Sequence, residues 1–166
     1  QGEVVEPVNF NSPGQVVIAG NVTAVARAIE AAQARGAKRA VTLPVSVPSH
    51  SRLMMGAAER LAGRLAGVDV RMPDVPAVYT VDVKTHASPD GIRLALKEQL
   101  HKPVRWAETV RAMLASGVTT IVECGPGKVL TALNKRIERR PGLTMLAVED
   151  PDGLAAALAA CKGDAA

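Results

Sequence analysis

Hydrophobic and polar positions change their spacing several times along the chain, from strand-like runs to helical periodicity and back. The apolar run at 15–20 predicts a strand. The next block, 21–36, carries apolar residues at helical spacing between a candidate N-cap, Asn21, and a candidate stop, Gly36, so it predicts a helix. The run at 37–47 predicts a second strand. Together these blocks predict a compact strand, helix, strand unit.

The same alternation continues through the rest of the chain and predicts an α/β fold with a parallel sheet. Val129, Leu133 and Ile137 are predicted to face the interior from one helix. In chain order, the later blocks predict a helix over 53–65, two extended pieces within 68–85 interrupted by Pro73 and Pro76, a helix over 88–100 with Ser88 as N-cap, a helix over 104–117, a strand over 118–125, a helix over 125–140, a strand over 143–150 and a terminal helix.

Composition narrows the possible classes of partner. The 166 residues are 48% hydrophobic, which is globular rather than disordered. The net charge of +4 is spread among acidic residues, and there is one residue each of Phe, Tyr and Trp, so we expect no nucleic-acid partner. No run reaches the roughly 18 apolar residues of a membrane helix, and we expect no membrane partner. Cys124 and Cys161 are far apart without a metal-ligand pattern, which favours a reduced cytoplasm and no metal or cofactor.

The first residues suggest that the chain begins inside a longer protein. Residue 1 is glutamine rather than methionine, and the segment 4–14, VVEPVNFNSPG, has the pattern of a strand followed by a loop. We therefore expect the start to be a cut rather than a native terminus.

The segment 123–131, ECGPGKVLT, invites comparison with a phosphate-binding loop, because a strand runs through glycines and a lysine into a helix. The pattern fails in detail. Glycine is required five places before the second glycine and Ser or Thr after the lysine, but those positions hold Val122 and Val129. The sequence favours a tight turn between a strand and a helix.

His50 is the residue with the most chemical potential. It lies in PVSVPSHSRLMM, residues 44–55, just before a helical pattern. The positive end of a following helix dipole disfavours an imidazolium, which would help to keep the ring neutral, as a general base requires. The same position also suits a purely structural histidine. No Gly-x-Ser-x-Gly, His-Glu-x-x-His or Gly-x-Gly-x-x-Gly pattern occurs in the chain.

Four blocks in one order and register carry a specific resemblance. PVNFNSPGQVVIAG, GAKRAVTLPVSVPSHSRLM, KEQLHKPVRW and ECGPGKVLT resemble the malonyl-CoA:acyl carrier protein transacylases of bacterial fatty acid synthesis over nearly the whole chain. The resemblance implies the C-terminal half of such an enzyme. Residues 1–46 would complete a ferredoxin-like small domain, and residues 47–166 would form part of an α/β-hydrolase-like large domain with a parallel sheet.

The resemblance implies a Ser–His pair in which His50 is the catalytic histidine. The partner serine lies in a Gly-His-Ser-x-Gly elbow upstream in the family, and that elbow is absent here, as are the carboxylate-binding arginine and an oxyanion-hole glutamine. Gln99 matches the position whose main-chain carbonyl receives the other ring N–H of the histidine. A carbonyl in the last turn of a helix is free for this bond. The alternative for Gln99 is a helix-end side chain that faces water.

Other residues match positions around the substrate. Asn9, Asn11 and Gln15 match polar positions of the cleft for the thioester and pantetheine arm, although Asn-Ser-Pro-Gly also suits an ordinary turn. Lys38 and Arg39 match a basic pair near the rim where acidic carrier protein and CoA phosphates approach, or form an ordinary solvated pair. Ser49 occupies a position that varies with acyl choice in related polyketide acyltransferases and does not settle specificity.

The implied function is transfer of malonyl from malonyl-CoA to the phosphopantetheine thiol of acyl carrier protein through an acyl-serine. The implied partners are malonyl-CoA, acyl carrier protein and the N-terminal half of the same enzyme, without which we expect this chain to be inactive. Two alternatives stay open. One is a polyketide synthase-type acyltransferase with another extender unit, and the other is a catalytically silent binding fragment.

Overall fold

The computed structural model describes residues 2–162, which divide into two units. The first unit comprises residues 2–10 and 15–105, and the second comprises 11–14 and 106–162. The domain boundary expected at residue 46 lies inside the first unit and stays a prediction. Within the described residues the strands are β1 (Val5–Ser12), β2 (Gln15–Gly20), β3 (Thr120–Cys124) and β4 (Thr144–Val148), and the α-helices are α1 (Val22–Ala34), α2 (Met55–Leu65), α3 (Pro89–Gln99), α4 (Trp106–Ala115), α5 (Val129–Ile137) and α6 (Pro151–Lys162).

Strands β1 and β2 form a hairpin. The tight turn between the strands requires a positive φ, which Gly14 supplies at 75°. The predicted strand at 15–20 and the predicted helix after it are confirmed, and the chain leaves α1 through Gly36, whose φ is 86°. Asn21 occupies the N-cap position, but its side chain accepts the N–H of Val4 at 2.8 Å instead of an N–H of α1.

The strand predicted at 37–47 is wrong. This segment forms no strand in the structure, so the strand, helix, strand unit does not form. A strand is stable only when its backbone groups pair with a neighbour, and Pro44 also removes one donor. Its four large apolar residues, Val41, Leu43, Val45 and Val47, are between 48% and 67% exposed.

Two packed helices complete the first unit. Ser88 caps α3 as predicted, because its hydroxyl accepts the N–H of Gly91 at 3.1 Å. The guanidinium of Arg93 donates to the carbonyl of Leu65 at the end of α2, at 3.1 Å, and Lys97 pairs with Glu59 at 2.7 Å. These bonds fix α3 against α2. The two extended pieces expected within 68–85 contain only an isolated bridge between Tyr79 and Lys84.

The second unit is a small α/β layer structure. β3 and β4 are parallel, with Thr120 opposite Thr144 and Cys124 opposite Val148. This confirms the α/β class with parallel strands. Helix α5 connects the two strands, and α6 packs on β4. The core is formed by four buried residues, Ala107, Val110, Leu114 and Ile137, with Trp106, Met113, Ile121 and Leu143 packed against them.

Helix α5 faces this core with Leu133 and Ile137, as predicted, but not with Val129. Val129 is 69% exposed, whereas Leu133 and Ile137 are 7% and 8% exposed. Val129 is the first residue of the helix, and helical side chains lean towards the N-terminus, so its side chain extends past the packed surface.

Asn134 makes a polar contact inside the second unit that we expect to matter for stability. It is 1% exposed, and its Oδ1 accepts the indole N–H of Trp106 at 2.9 Å. Asn134→Leu should lower the free energy of unfolding by about 2 kcal/mol, because the indole N–H loses its partner in a buried site. The measurement is a urea titration of the complete protein. In a Trp106→Phe background the same substitution should cost clearly less, and an equal cost in both backgrounds would contradict this explanation.

No helix within residues 2–162 is both long and apolar enough to cross a bilayer.

Candidate functional site

His50 lies at a strained turn before a short 3-10 helix, Arg52–Met54, that leads into α2. Its φ is 64°, a left-handed conformation that costs a residue other than glycine about 1 kcal/mol. The backbone N–H of His50 donates to the carbonyl of Leu100 at 2.9 Å. Strain of this kind persists only where the surroundings determine the conformation, and it is most frequent at functional sites.

The imidazole of His50 is held by the end of α3. Its Nδ1 lies 2.6 Å from the main-chain carbonyl oxygen of Gln99. Because a carbonyl oxygen can only accept, Nδ1 must carry the proton and donate it. In the neutral ring Nε2 is then the unprotonated nitrogen, the one able to take a proton from another group. The contact between His50 and Gln99 that the resemblance implies is therefore present.

The ring nitrogen of His50 bonds to the C-terminal end of α3, as the match of Gln99 implies. The field of the helix that follows His50, expected to help keep the ring neutral, stays a prediction. The carbonyls of Gln99 and Leu100 lie where a helix has no further intrahelical donors, and this end of the dipole is negative. The bond to the end of α3 orients the ring.

Strand β1 contacts the segments on both sides of this site. The Glu6 carboxylate accepts the backbone N–H of Arg52 at 2.9 Å and pairs with its guanidinium at 2.8 Å. Further along β1, Phe10 N–H donates to the carbonyl of Val104, and Val104 N–H donates to the carbonyl of Val8, both at 2.9 Å. β1 thus ties the turn after His50 to the segment after α3.

The other predicted site residues are placed as follows. Asn9 is half-buried in β1 and bridges to Val104 in parallel orientation. Asn11 is half-buried at the end of the same strand, and Gln15 is exposed at the start of β2. Lys38 and Arg39 are exposed in the irregular segment after α1. The substrate-binding and rim roles of these residues stay predictions.

The glycine-rich turn between β3 and α5 binds a carboxylate of the chain itself. Glu123 accepts the N–H of Leu130 at 3.0 Å and the N–H of Thr131 at 2.7 Å. These are the free donors of a helix N-terminus, where a phosphate loop would hold its anion. Because the Glu123 carboxylate already accepts from these N–H groups, they are not free for a bound phosphate. The structure therefore agrees with a tight turn between a strand and a helix rather than with a phosphate-binding loop. Burial of Glu123 opposes ionisation, but hydrogen bonds, that from Thr131 first among them, together hold the pKa of this carboxyl below its usual value.

The Glu123 cap should make the first turn of α5 sensitive to acid. A carboxyl whose pKa is lowered in the folded state adds stability that is complete above its unfolded pKa and is lost as pH falls through the folded value. Glu123→Gln should therefore cost about 1 kcal/mol at pH 7, the usual cost of a lost helix cap, and progressively less as the pH falls below the ordinary pKa of glutamate. Hydrogen exchange at the Leu130 and Thr131 amides reports the effect locally. A cost that does not change with pH would contradict it.

Sequence analysis missed several contacts and one charged cluster. The bonds of Leu100 and Glu6 around His50 gave no sequence signal, apart from the general rule that helix-end carbonyls are free. The cluster was visible as four cations among six residues, Lys135, Arg136, Arg139 and Arg140, all exposed at and after the end of α5. Within residues 2–162 no group of three or more histidine, cysteine, aspartate or glutamate side chains could hold a metal ion.

The chain is similar to known proteins over most of its length. Residues 2–148 match the acyl transferase domain family. The malonyl CoA-acyl carrier protein transacylase of Escherichia coli K12 is 55% identical over 158 residues, which cover 95% of this chain and 50% of that protein. The protein of the same name from Bacillus subtilis 168 is 43% identical over 162 residues, covering 98% of this chain and 50% of the relative.

Solved structures give the same result. A type II PKS acyl-carrier protein in complex with its malonyl-transacylase, PlMCAT:AntF, matches with a TM-score of 0.92 and 52% identity over 96% of this chain and 51% of that one. The malonyl-CoA:acyl carrier protein transacylase of Xanthomonas oryzae matches with a TM-score of 0.91 and 47% identity over 95% and 50%. The resemblance read from the sequence is confirmed, and the chain spans about half the length of these relatives. The chain belongs to the acyl transferase domain family.

Proposed function

We propose that the complete protein transfers malonyl from malonyl-CoA to the phosphopantetheine thiol of acyl carrier protein, and that this chain supplies the histidine half of the site. The observation that carries the proposal is the bond of 2.6 Å between His50 Nδ1 and the Gln99 carbonyl. It leaves Nε2 as the proton-accepting nitrogen, and a general base needs such a nitrogen. A carbonyl that fixes the tautomer makes a carboxylate unnecessary for orientation.

In the first half-reaction, His50 Nε2 takes the proton of a serine hydroxyl as the oxygen attacks the malonyl thioester carbonyl. The tetrahedral intermediate collapses, the C–S bond breaks, and the imidazolium returns its proton to the departing CoA thiolate. In the second half-reaction, His50 takes the proton of the phosphopantetheine thiol while its sulfur attacks the acyl-serine. The same proton then returns to the serine oxygen, which leaves. The C=O of Gln99 accepts from the ring throughout.

The serine would come from the part of the protein that this chain does not span. The relatives that it matches are about twice as long, and the Gly-His-Ser-x-Gly elbow that the resemblance implies would lie upstream of residue 1 in the complete protein. We place residues 1–46 in a ferredoxin-like small domain and residues 47–166 in an α/β-hydrolase-like large domain. We expect the complete protein in the cytoplasm.

Binding of the substrates would use neutral and basic groups. Asn9, Asn11 and Gln15 would offer amide donors and acceptors to the pantetheine arm. The exposed pair Lys38 and Arg39 would attract CoA phosphates and the acidic carrier protein. The cations at the end of α5 add positive charge in the second unit, although cations also stabilise a helix C-terminus without any partner.

Exposed apolar residues support the N-terminal half as a partner. Val41, Leu43, Val45 and Val47 alternate along 37–47, so they would share one face of an extended segment, and each is at least 48% exposed. An exposed apolar face of this kind normally marks a contact with another element, although the N–H of Val45 here bonds to the carbonyl of Leu43 at 2.8 Å. We propose that a strand of the N-terminal half pairs here and covers these residues.

The direct test is intact-mass spectrometry of the complete protein before and after incubation with malonyl-CoA. We expect a gain of one malonyl group that is removed by carrier protein bearing its phosphopantetheine thiol. A protein that stays unlabelled by malonyl-CoA would refute the proposed transfer.

Competition between malonyl-CoA and methylmalonyl-CoA tests the alternative of a polyketide synthase-type acyltransferase. Preference for the branched unit would identify an acyltransferase of that type.

A further inference from the structure

A buried hydroxyl closes the turn that carries His50. Ser51 is 0% exposed, and its Oγ donates to the carbonyl of Pro48 at 2.7 Å. The bond spans the four residues from Pro48 to Ser51, with His50 inside the loop that it closes. A buried hydroxyl without a hydrogen-bond partner destabilises the folded protein, so we expect this bond to persist.

Ser51 also connects this turn to the helix that follows. Its carbonyl accepts the N–H of Met54 at 2.9 Å, the first bond of the 3-10 helix. Three bonds therefore surround the left-handed backbone of His50, whose φ is 64°. Two join His50 to the carbonyls at the end of α3, and the third is the bond of the Ser51 hydroxyl to Pro48. The α3 bonds hold the ring and the N–H of His50. The Ser51 bond holds the residues before and after it.

We propose that Ser51 is a positioning residue for His50. By closing the turn, its hydroxyl keeps the strained backbone in place, so that Nδ1 stays within a short hydrogen bond of the Gln99 carbonyl and the ring keeps the tautomer that a base requires. Ser51 is fully buried and so acts through His50 rather than on a substrate. This inference rests on the proposed function for its catalytic consequence, and on the turn geometry alone for its structural one.

The test is Ser51→Ala in the complete protein, with Ser116→Ala as the matched control. Ser116 also donates its Oγ to a carbonyl three residues earlier, that of Met113, at 2.8 Å, but at the end of α4. We expect Ser51→Ala to lower kcat for malonyl transfer about tenfold to a hundredfold, because small misplacements of a catalytic group have effects of this size. The KM for malonyl-CoA should stay within about twofold. Ser116→Ala should change neither constant.

A proton NMR signal gives a readout that does not depend on activity. The Nδ1 proton of His50 lies in a short hydrogen bond and should resonate far downfield, identified by its loss in His50→Gln. Ser51→Ala should move this signal upfield or broaden it, and Ser116→Ala should not. A complete protein that transfers no malonyl would refute the proposed function, while this signal would still decide the role of Ser51.

The opposing outcomes are equally specific. Ser51→Ala with unchanged kcat and an unchanged Nδ1 signal overturns the inference, and so does a variant that loses stability and activity while the signal stays in place. If Ser51→Ala does not fold, Ser51→Cys decides, because a thiol keeps a side chain of similar size and a weak donor. We then expect reduced kcat with a shifted signal. Unchanged values in a folded Ser51→Cys protein would overturn the inference.

Discussion

His50→Ala in the complete protein is expected to reduce malonyl transfer to acyl carrier protein by roughly 10³-fold or more, the scale seen when a catalytic base of this type is lost. The reason is the loss of the only group in the described site that can both take and return the proton in each half-reaction. Stability should change little in comparison, since His50 is only half-buried and its left-handed backbone is strained. Steady-state transfer rates and urea midpoints measure the two effects.

Two further variants separate catalysis from structure. His86→Ala removes a histidine whose Nε2 lies 3.2 Å from a carboxylate oxygen of Asp82 rather than at a helix end, and transfer should stay within about threefold. Gln99→Ala should also retain most of the activity, because the proposed acceptor is the main-chain carbonyl and alanine keeps it. A large loss of transfer activity in Gln99→Ala would mean that the glutamine side chain, and not only its main-chain carbonyl, contributes to catalysis. Normal transfer by His50→Ala would remove His50 from the mechanism.

The helices were predictable because their ends are marked by local chemistry. Ser88 and Pro89, which are adjacent in the sequence, mark the start of α3, and Gly36 marks the end of α1. The strand expected at 37–47 failed because a strand depends on a neighbour that a local pattern does not contain. The prediction that Val129 faces the interior was wrong for a related reason. Periodicity identifies the face of a helix that packs, but it does not show how far the neighbouring element extends along that face.

The site was predictable only in part. The resemblance placed His50 opposite the carbonyl of Gln99, and the structure has that contact at 2.6 Å. Residue types do not reveal the positive φ of His50 or the hydroxyl of Ser51 that closes the turn. They also do not reveal that the carboxylate of Glu6, in β1, accepts the N–H of Arg52. These features depend on backbone geometry, and the contact of Glu6 with Arg52 joins residues more than forty positions apart in the sequence. They had to be read from three-dimensional structure.

Val45→Lys is expected to lower the free energy of unfolding of the complete protein by about 3 kcal/mol, because an ammonium group would be buried without a partner. In the chain described here Val45 is 67% exposed, on the alternating face that it shares with Val41, Leu43 and Val47. If a strand of the N-terminal half covers this face, the same valine becomes part of a core. The measurement is a urea titration of the complete protein and of the 166-residue chain.

The matched control is Val22→Lys, since Val22 is 86% exposed at the start of α1 and lies outside the apolar segment. It should cost less than about 0.5 kcal/mol in both proteins. Val45→Lys should be equally mild in the 166-residue chain, where its side chain already faces water. A mild effect in the complete protein too would show that the segment 37–47 stays uncovered there, and the N-terminal half would then have to join this chain through another surface.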